Sequence, residues 1–218
     1  MKHAYRKFLF PLKMGTRLLI LLISSLYAAG FVGGLTGSYN LFEWIGLRST
    51  SVWHGEIWRV ISYAFVAPSL LNLVLDIIIL AMLGSFLERV WSSREFWIFC
   101  LICGAGAGLA KVLVTPTSPV LIVATVPIIF GLLVAWAKIS GRERVYFMGI
   151  WEMSVRTCAL IFAVISILAI LPCAGIINTL IMLCGGVAGW LYLFIRLRSV
   201  RLQESQTVGS VRMGRLEL

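Results

Sequence analysis

The sequence predicts an all-α membrane protein, a bundle of six transmembrane helices, on three observations. Hydrophobic residues make up 60% of the 218-residue chain, where soluble domains hold roughly 45–50%. A water-soluble fold cannot cover that much apolar surface. The apolar residues gather into six runs, near 18–36, 66–87, 96–114, 119–137, 157–173 and 176–195. Each is long enough to cross a hydrocarbon core about 30 Å thick. Lysine and arginine alternate in density between the runs, as they do in multi-pass proteins that obey the positive-inside rule.

Taken in order, residues 1–17 form a basic N-terminus carrying Lys2, Arg6, Lys7, Lys13 and Arg17. Basic residues ahead of an apolar run resemble a signal peptide, and Ala28-Ala29-Gly30 resembles a cleavage site. The run is as long as a full span and more spans follow, so an uncleaved first helix is expected. The fourth run contains Pro127, which inside a buried helix leaves a carbonyl for neighbours to satisfy. The fifth and sixth join through a short turn around Pro172 and Gly175. The N-terminus, the tail and the loops after the second and fourth runs together hold sixteen Lys and Arg. The opposite side holds Arg48 and Arg59, with Lys111 set aside at the end of a run. Both termini are therefore expected in the cytoplasm. The membrane domain is expected to span 18–197, and the polar tail, 198–218, reads as a disordered cytoplasmic extension.

The formal charge of +10 lies in clusters between apolar runs, not on a folded soluble face. No nucleic-acid partner is expected, and the lipid bilayer is the implied one. Cys100, Cys103, Cys158, Cys173 and Cys184 all lie in or beside apolar runs. The Cys100–Cys103 CxxC has no second pair or nearby histidine, so no disulfide, metal or cofactor is expected. Gly104-Ala-Gly106-Ala-Gly108 resembles part of a nucleotide-binding fingerprint but follows no strand. Close helix packing is the expectation there. Asp76 is the only acidic residue deep in a run, which makes it a functional candidate. It would bind a proton, pair with Lys111 near the outer side, contact a client helix, or stay neutral through burial.

The loop 37–65 is the only long connection on the outer side, and it carries Phe42, Trp44, Trp53 and Trp58. Amphipathic rings favour the membrane–water boundary, so the loop is expected to lie in the interface. Within it Gly55-Glu-Ile-Trp58-Arg59 is followed by an apolar run ending Gly84-Ser-Phe-Leu-Glu88. Further on come Ile129-Phe130-Gly131 and Met182-Leu-Cys-Gly185-Gly186-Val-Ala-Gly189.

That order over residues 53–195 resembles the rhomboid family of intramembrane serine proteases. The resemblance implies a six-helix rhomboid-like bundle with Trp58, Arg59, Gly84, Glu88, Gly131, Gly185 and Gly189 as structural motif residues. It implies that Arg59 anchors the loop by bonding its carbonyls, and that Asn72 and Asp76 stand where the family holds an oxyanion. It also places Val126 at the position of the catalytic serine and Met182 at that of the histidine. Ala124 and Pro127 replace the flanking glycines, and proline has no N–H to offer. Only His3 and His54 exist in the chain, both outside the apolar runs, so a buried serine–histidine dyad cannot form. Nothing in the sequence positions a Ser118–Lys111 pair.

Two functions follow. One is a pseudoprotease that binds transmembrane segments of client proteins. The alternative is an active intramembrane serine endopeptidase with a displaced nucleophile. A small transporter would need more polar groups than Asn72, Asp76 and Asn178. The expected location is the plasma membrane of a bacterium.

Overall fold

The computed structural model describes residues 12–37, 40–141, 144–147 and 151–214. The basic N-terminus through residue 11 and the end of the tail from 215 lie outside them. Four helices are long and apolar enough to cross a membrane: Met14–Thr36, Leu70–Val90, Ser93–Val114 and Gly175–Arg196. Two apolar helices are shorter, Val126–Ile139 and Val155–Leu168. Four spans therefore stand on length and composition, where the sequence predicts six.

Helix α1 (Met14–Thr36) ends where Gly37 turns left-handed at φ 65°, a conformation glycine adopts without steric cost. Its buried residues Gly15, Leu19, Ile23 and Gly30 lie on one stripe. The loop predicted to follow is a folded unit: α2 (Leu41–Ile45), α3 (Ser49–Trp53), α4 (Arg59–Ser62) and a 3₁₀ turn at Tyr63–Phe65. Trp44, Trp53 and Trp58 are exposed on it, and Leu41, Trp44, Ile45 and Trp58 line a shallow apolar hollow.

Helix α5 (Leu70–Val90) starts where the Ser69 hydroxyl accepts from the Asn72 amide at 3.3 Å. Ser92 caps α6 (Ser93–Val114) in the same way through the Glu95 amide. Both starts use the serine cap that satisfies an orphan helix N–H. Between these helices Glu88 is fully buried. Its carboxylate accepts from the amides of Gly15 and Thr16 and the Thr16 hydroxyl, each at 2.8 Å, and from the Ser93 hydroxyl at 2.5 Å. A carboxylate at the N-terminus of α1 meets both orphan amides and the positive end of the helix dipole. Gly15 and Gly84 leave room for it: a Cβ on Gly15 would meet Glu88 Oε1 at 2.9 Å, and one on Gly84 would meet Thr16 Cγ2 at 2.9 Å.

Helix α7 (Val126–Ile139) corrects the predicted fourth span. It starts at Val126, so Pro127 sits in its first turn and interrupts nothing. Proline suits that position because the missing N–H has no helical partner there. At about 1.5 Å per residue, 14 residues rise roughly 21 Å. The preceding residues are extended and borrow partners from the loop: Leu47 and Ile122 exchange two backbone bonds, and the Ala124 amide donates to the Tyr63 carbonyl at 3.2 Å.

A β-hairpin follows, β1 (Arg144–Phe147) against β2 (Trp151–Ser154), with Val145 opposite Met153 and Tyr146 opposite Glu152. The β-branched and aromatic residues there favour strand. Ser154 then caps α8 (Val155–Gly214) through the Thr157 amide. Helix α8 is broken at Gly175 (φ 75°, ψ 167°), which gives two arms. The second arm continues to Gly214, so residues 199–214 are helical where the sequence suggested disorder. Extending an existing helix avoids the cost of nucleating a new one.

Helices α6, α7 and α8 pack as the central group; α5 packs against α1 and α7. Arg196 closes the end opposite the loop, bonding Glu95 Oε2 at 2.6 Å and lying 5.3 Å from the Trp91 ring centre.

Glu88→Ala would leave two amides and two hydroxyls without their acceptor. At roughly 1–3 kcal/mol for each buried unsatisfied group, we expect a loss of about 3 kcal/mol or more, read as a lower unfolding midpoint in detergent. Glu88→Gln keeps one acceptor oxygen and should fall between.

Candidate functional site

The site forms where the head of α7 meets α5 and the second arm of α8. A Cβ on Gly185 would meet Pro127 Cβ at 2.7 Å, and one on Gly189 would meet Gly131 Cα at 3.2 Å. Both contacts share one register, so the two helices run parallel here with backbones close together. The small-xxx-small spacing permits this approach. Met182, three residues before Gly185, lies about one turn from that contact, toward the head of α7. Met182 is buried and Val126 half-buried. The frame thus brings the two positions named from the sequence to one crossing, and both side chains there are apolar.

Gly131 and Gly189 both face Cys103 Sγ and Phe99 on α6. The run Gly104–Gly108 serves two neighbours. Gly104 faces Ala64 and Gly108 faces Val60 and Tyr63 of the loop, while Gly106 faces Ala188. Tyr63 donates its hydroxyl to the Gly104 carbonyl at 3.0 Å. Arg59 is 7% exposed and donates to the carbonyls of Gly46, at 2.8 Å, and Glu43. Its Nε pairs with Glu56 at 2.5 Å. Trp58, beside it, is exposed. His54 is exposed at the end of α3, away from the crossing.

Asn72 and Asp76 separate. Asn72 is exposed on the first turn of α5, whereas Asp76 is buried at 6% exposure. Of the two positions that match the resembled family's oxyanion residues, only Asp76 reaches the interior. The hydroxyl of Thr125, itself 0% exposed, faces the Asp76 carboxyl but lies outside hydrogen-bond geometry. Thr125 is the N-cap of α7, yet its hydroxyl makes no capping bond. Pro127 at the second helical position has no N–H to give it. Sequence reasoning missed Thr125, because its idle hydroxyl becomes legible only once the helix start is known.

A second polar cluster lies near the loop end of α6. Lys111 is 2% exposed, and its Nζ donates to Asn178 Oδ1 at 2.9 Å and reaches Ser118 Oγ at 3.5 Å. The structure thus brings Ser118 and Lys111 near each other, although nothing in the sequence positions them. Asp76 does not pair with Lys111 within 4.0 Å among the described residues.

A family model described as "Eukaryotic integral membrane protein (DUF1751)" matches residues 14–200. The chain belongs to that family. The match runs from the start of α1 into the second arm of α8, so it includes the whole crossing. It overturns the expected bacterial plasma membrane: the family is one of eukaryotic integral membrane proteins. Basic residues report which side of a membrane a loop occupies and carry no signature of the organism. The chain matches no curated protein.

The crossing yields a paired expectation. Gly185→Ala would press its methyl to 2.7 Å from Pro127, whereas Gly186→Ala would rest at 3.5 Å from Phe130. We expect Gly185→Ala to cost about 1–3 kcal/mol and Gly186→Ala to be neutral or stabilising by up to about 1 kcal/mol. Thermal unfolding in detergent separates the two.

Proposed function

We propose that this chain is a rhomboid-like, proteolytically silent membrane protein that binds transmembrane segments of client proteins. One observation carries the reading: the head of α7 presents Pro127 against Gly185, about one turn from the buried Met182, with the half-buried Val126 next to Pro127 in the chain. Close helix approach is kept at the place where the resembled family does its chemistry, and the nucleophile, the base and an amide donor are replaced together. Asp76 adds a carboxylate, which accepts hydrogen bonds and opposes an oxyanion.

The same reading takes Val126–Ile139 and Val155–Leu168 as the fourth and fifth of six spans. The extended lead-in to α7 fits this, because irregular backbone at membrane depth needs protein partners and the loop supplies them. Both termini then face the cytosol, in line with sixteen basic residues on that side and two on the other.

The second reading, a serine endopeptidase with a displaced nucleophile, is favoured by the 3.5 Å approach of Lys111 Nζ to Ser118 Oγ. Against it, the lysine's shorter bond goes to Asn178, and Ser118 Oγ also accepts from the Val120 amide at 3.4 Å. That leaves a weak arrangement for proton removal.

A fluorophosphonate probe should leave the purified protein unlabelled, and Val126→Ser with Met182→His should not confer cleavage of a model membrane substrate. Labelling abolished by Ser118→Ala would establish the second reading in place of the first. A photoreactive residue at position 126, activated in native membranes, should give discrete adducts with single-span proteins. Lipid adducts alone would refute client binding.

A further inference from the structure

We propose that the Lys111–Asn178–Ser118 cluster is a binding site for the phosphate of a lipid headgroup, one of net negative charge, drawn from the leaflet on the loop side. The site is independent of client binding and needs only a chain embedded in lipid.

A lysine at the end of a span ordinarily snorkels its ammonium toward water. Lys111 does not. It is 2% exposed, and its Nζ crosses to Asn178 Oδ1 at 2.9 Å and to Ser118 Oγ at 3.5 Å. Both partners are neutral, and no carboxylate lies within 4.0 Å of the ammonium among the described residues. The acids elsewhere are engaged or remote. Glu56 pairs with Arg59, Glu95 with Arg196, and Glu88 is spent on the starts of α1 and α6. Glu152 precedes the first arm of α8 and Glu204 lies late in the second, both many residues from Asn178. An ammonium held among neutral groups under apolar cover is costly until an anion compensates it.

The cluster reaches the surface through its partners. Ser118 and Asn178 are half-buried, and Thr117 and Pro119 on either side of Ser118 are exposed. Ser118 Oγ accepts from Lys111 and from the Val120 amide, and its proton meets no acceptor among the described residues. A hydroxyl that accepts from an ammonium and donates outward is polarised toward the next acceptor. A phosphate oxygen fits that place: it takes the hydroxyl proton and brings the charge that Lys111 lacks. The depth matches as well. Lys111 stands three residues before the end of α6 at Val114, and Asn178 three residues into the arm that begins at Gly175. Both lie about 5 Å inside the loop-side ends of their helices, where headgroups meet hydrocarbon. Leu113, Val114, Val120, Ile176 and Ile177 are exposed around the cluster, a rim suited to acyl chains and not to a soluble anion. A zwitterionic head would bring its own ammonium to a cluster without a carboxylate, so a net-negative head is favoured.

The test uses the full-length protein in bilayer nanodiscs of phosphatidylcholine and phosphatidylglycerol in equal amounts, with a photoreactive residue in place of the exposed Thr117. Adducts there should hold phosphatidylglycerol about three- to tenfold above its share of the bilayer, the range that one charge at a membrane surface supports. Ser118→Ala and Lys111→Gln should each bring the ratio toward that share. Ser118→Ala, at a half-buried loop position, carries the test alone if Lys111→Gln does not fold. A wild-type ratio equal to the bilayer composition overturns the site. So does an enrichment that survives Ser118→Ala, which would mark diffuse attraction to the surface. Millimolar inorganic phosphate should leave the enrichment intact. Its loss would assign the cluster to a soluble phosphate and overturn the lipid.

Discussion

Glu88 holds the fold at one end. In lipid there is no hydrophobic drive to bring helices together, so association falls to close packing and to polar contacts with few alternatives. Glu88 concentrates such contacts. It takes two backbone amides and a hydroxyl from the start of α1 and a second hydroxyl from the start of α6. Three helices therefore meet on one carboxylate. The small residues around it are part of the same device, since a side chain at Gly15 or Gly84 would occupy the space the carboxylate or Thr16 needs. Most of the buried residues of α5 gather toward that end: Leu80, Leu83, Gly84, Ser85, Leu87 and Glu88.

The central crossing uses closeness without charge. Gly185 and Gly189 bring the second arm of α8 to backbone contact with α7, and the α6 side chains of Cys103 and Phe99 fill the space at Gly131 and Gly189. Such packing depends on residue volume and not on reactivity. Val126 and Met182 can therefore be apolar without loosening the contact between the two helices. The loop contributes a third layer: Arg59 ties its turns together, Tyr63 fastens it to α6, and its carbonyls and amides complete the lead-in to α7.

The long apolar runs were legible from hydropathy, and four of them are full-length spans by composition. Boundaries were harder. Pro127 reads as a mid-helix fault when hydropathy sets the limits, because extended apolar residues such as Val120, Leu121 and Ile122 look the same as helical ones. Only their bonds to Leu47 and Tyr63 distinguish them. The folding of the loop was hidden for a related reason: its helices are four or five residues long and hold together through Arg59, not through periodicity. At the site, Asp76 stands out as a carboxylate in an apolar run, whereas the idle hydroxyl of Thr125 depends on where α7 begins and the Lys111–Asn178 bond spans 67 positions of chain. The resemblance pairs Asn72 with Asp76, but the place of Asn72 on the first turn leaves it exposed.

The uneven burial of α5 has a mechanical corollary. A rod clamped at its foot and bare at its tip swings most at the tip. Leu70, Leu71, Val74 and Leu75 at the loop end are exposed, while the far end is fastened through Glu88. Any pivot about the fastened foot would carry the loop end furthest, so a change at Glu88 would be felt most at Leu73 and Asp76, the two residues of that end which are buried.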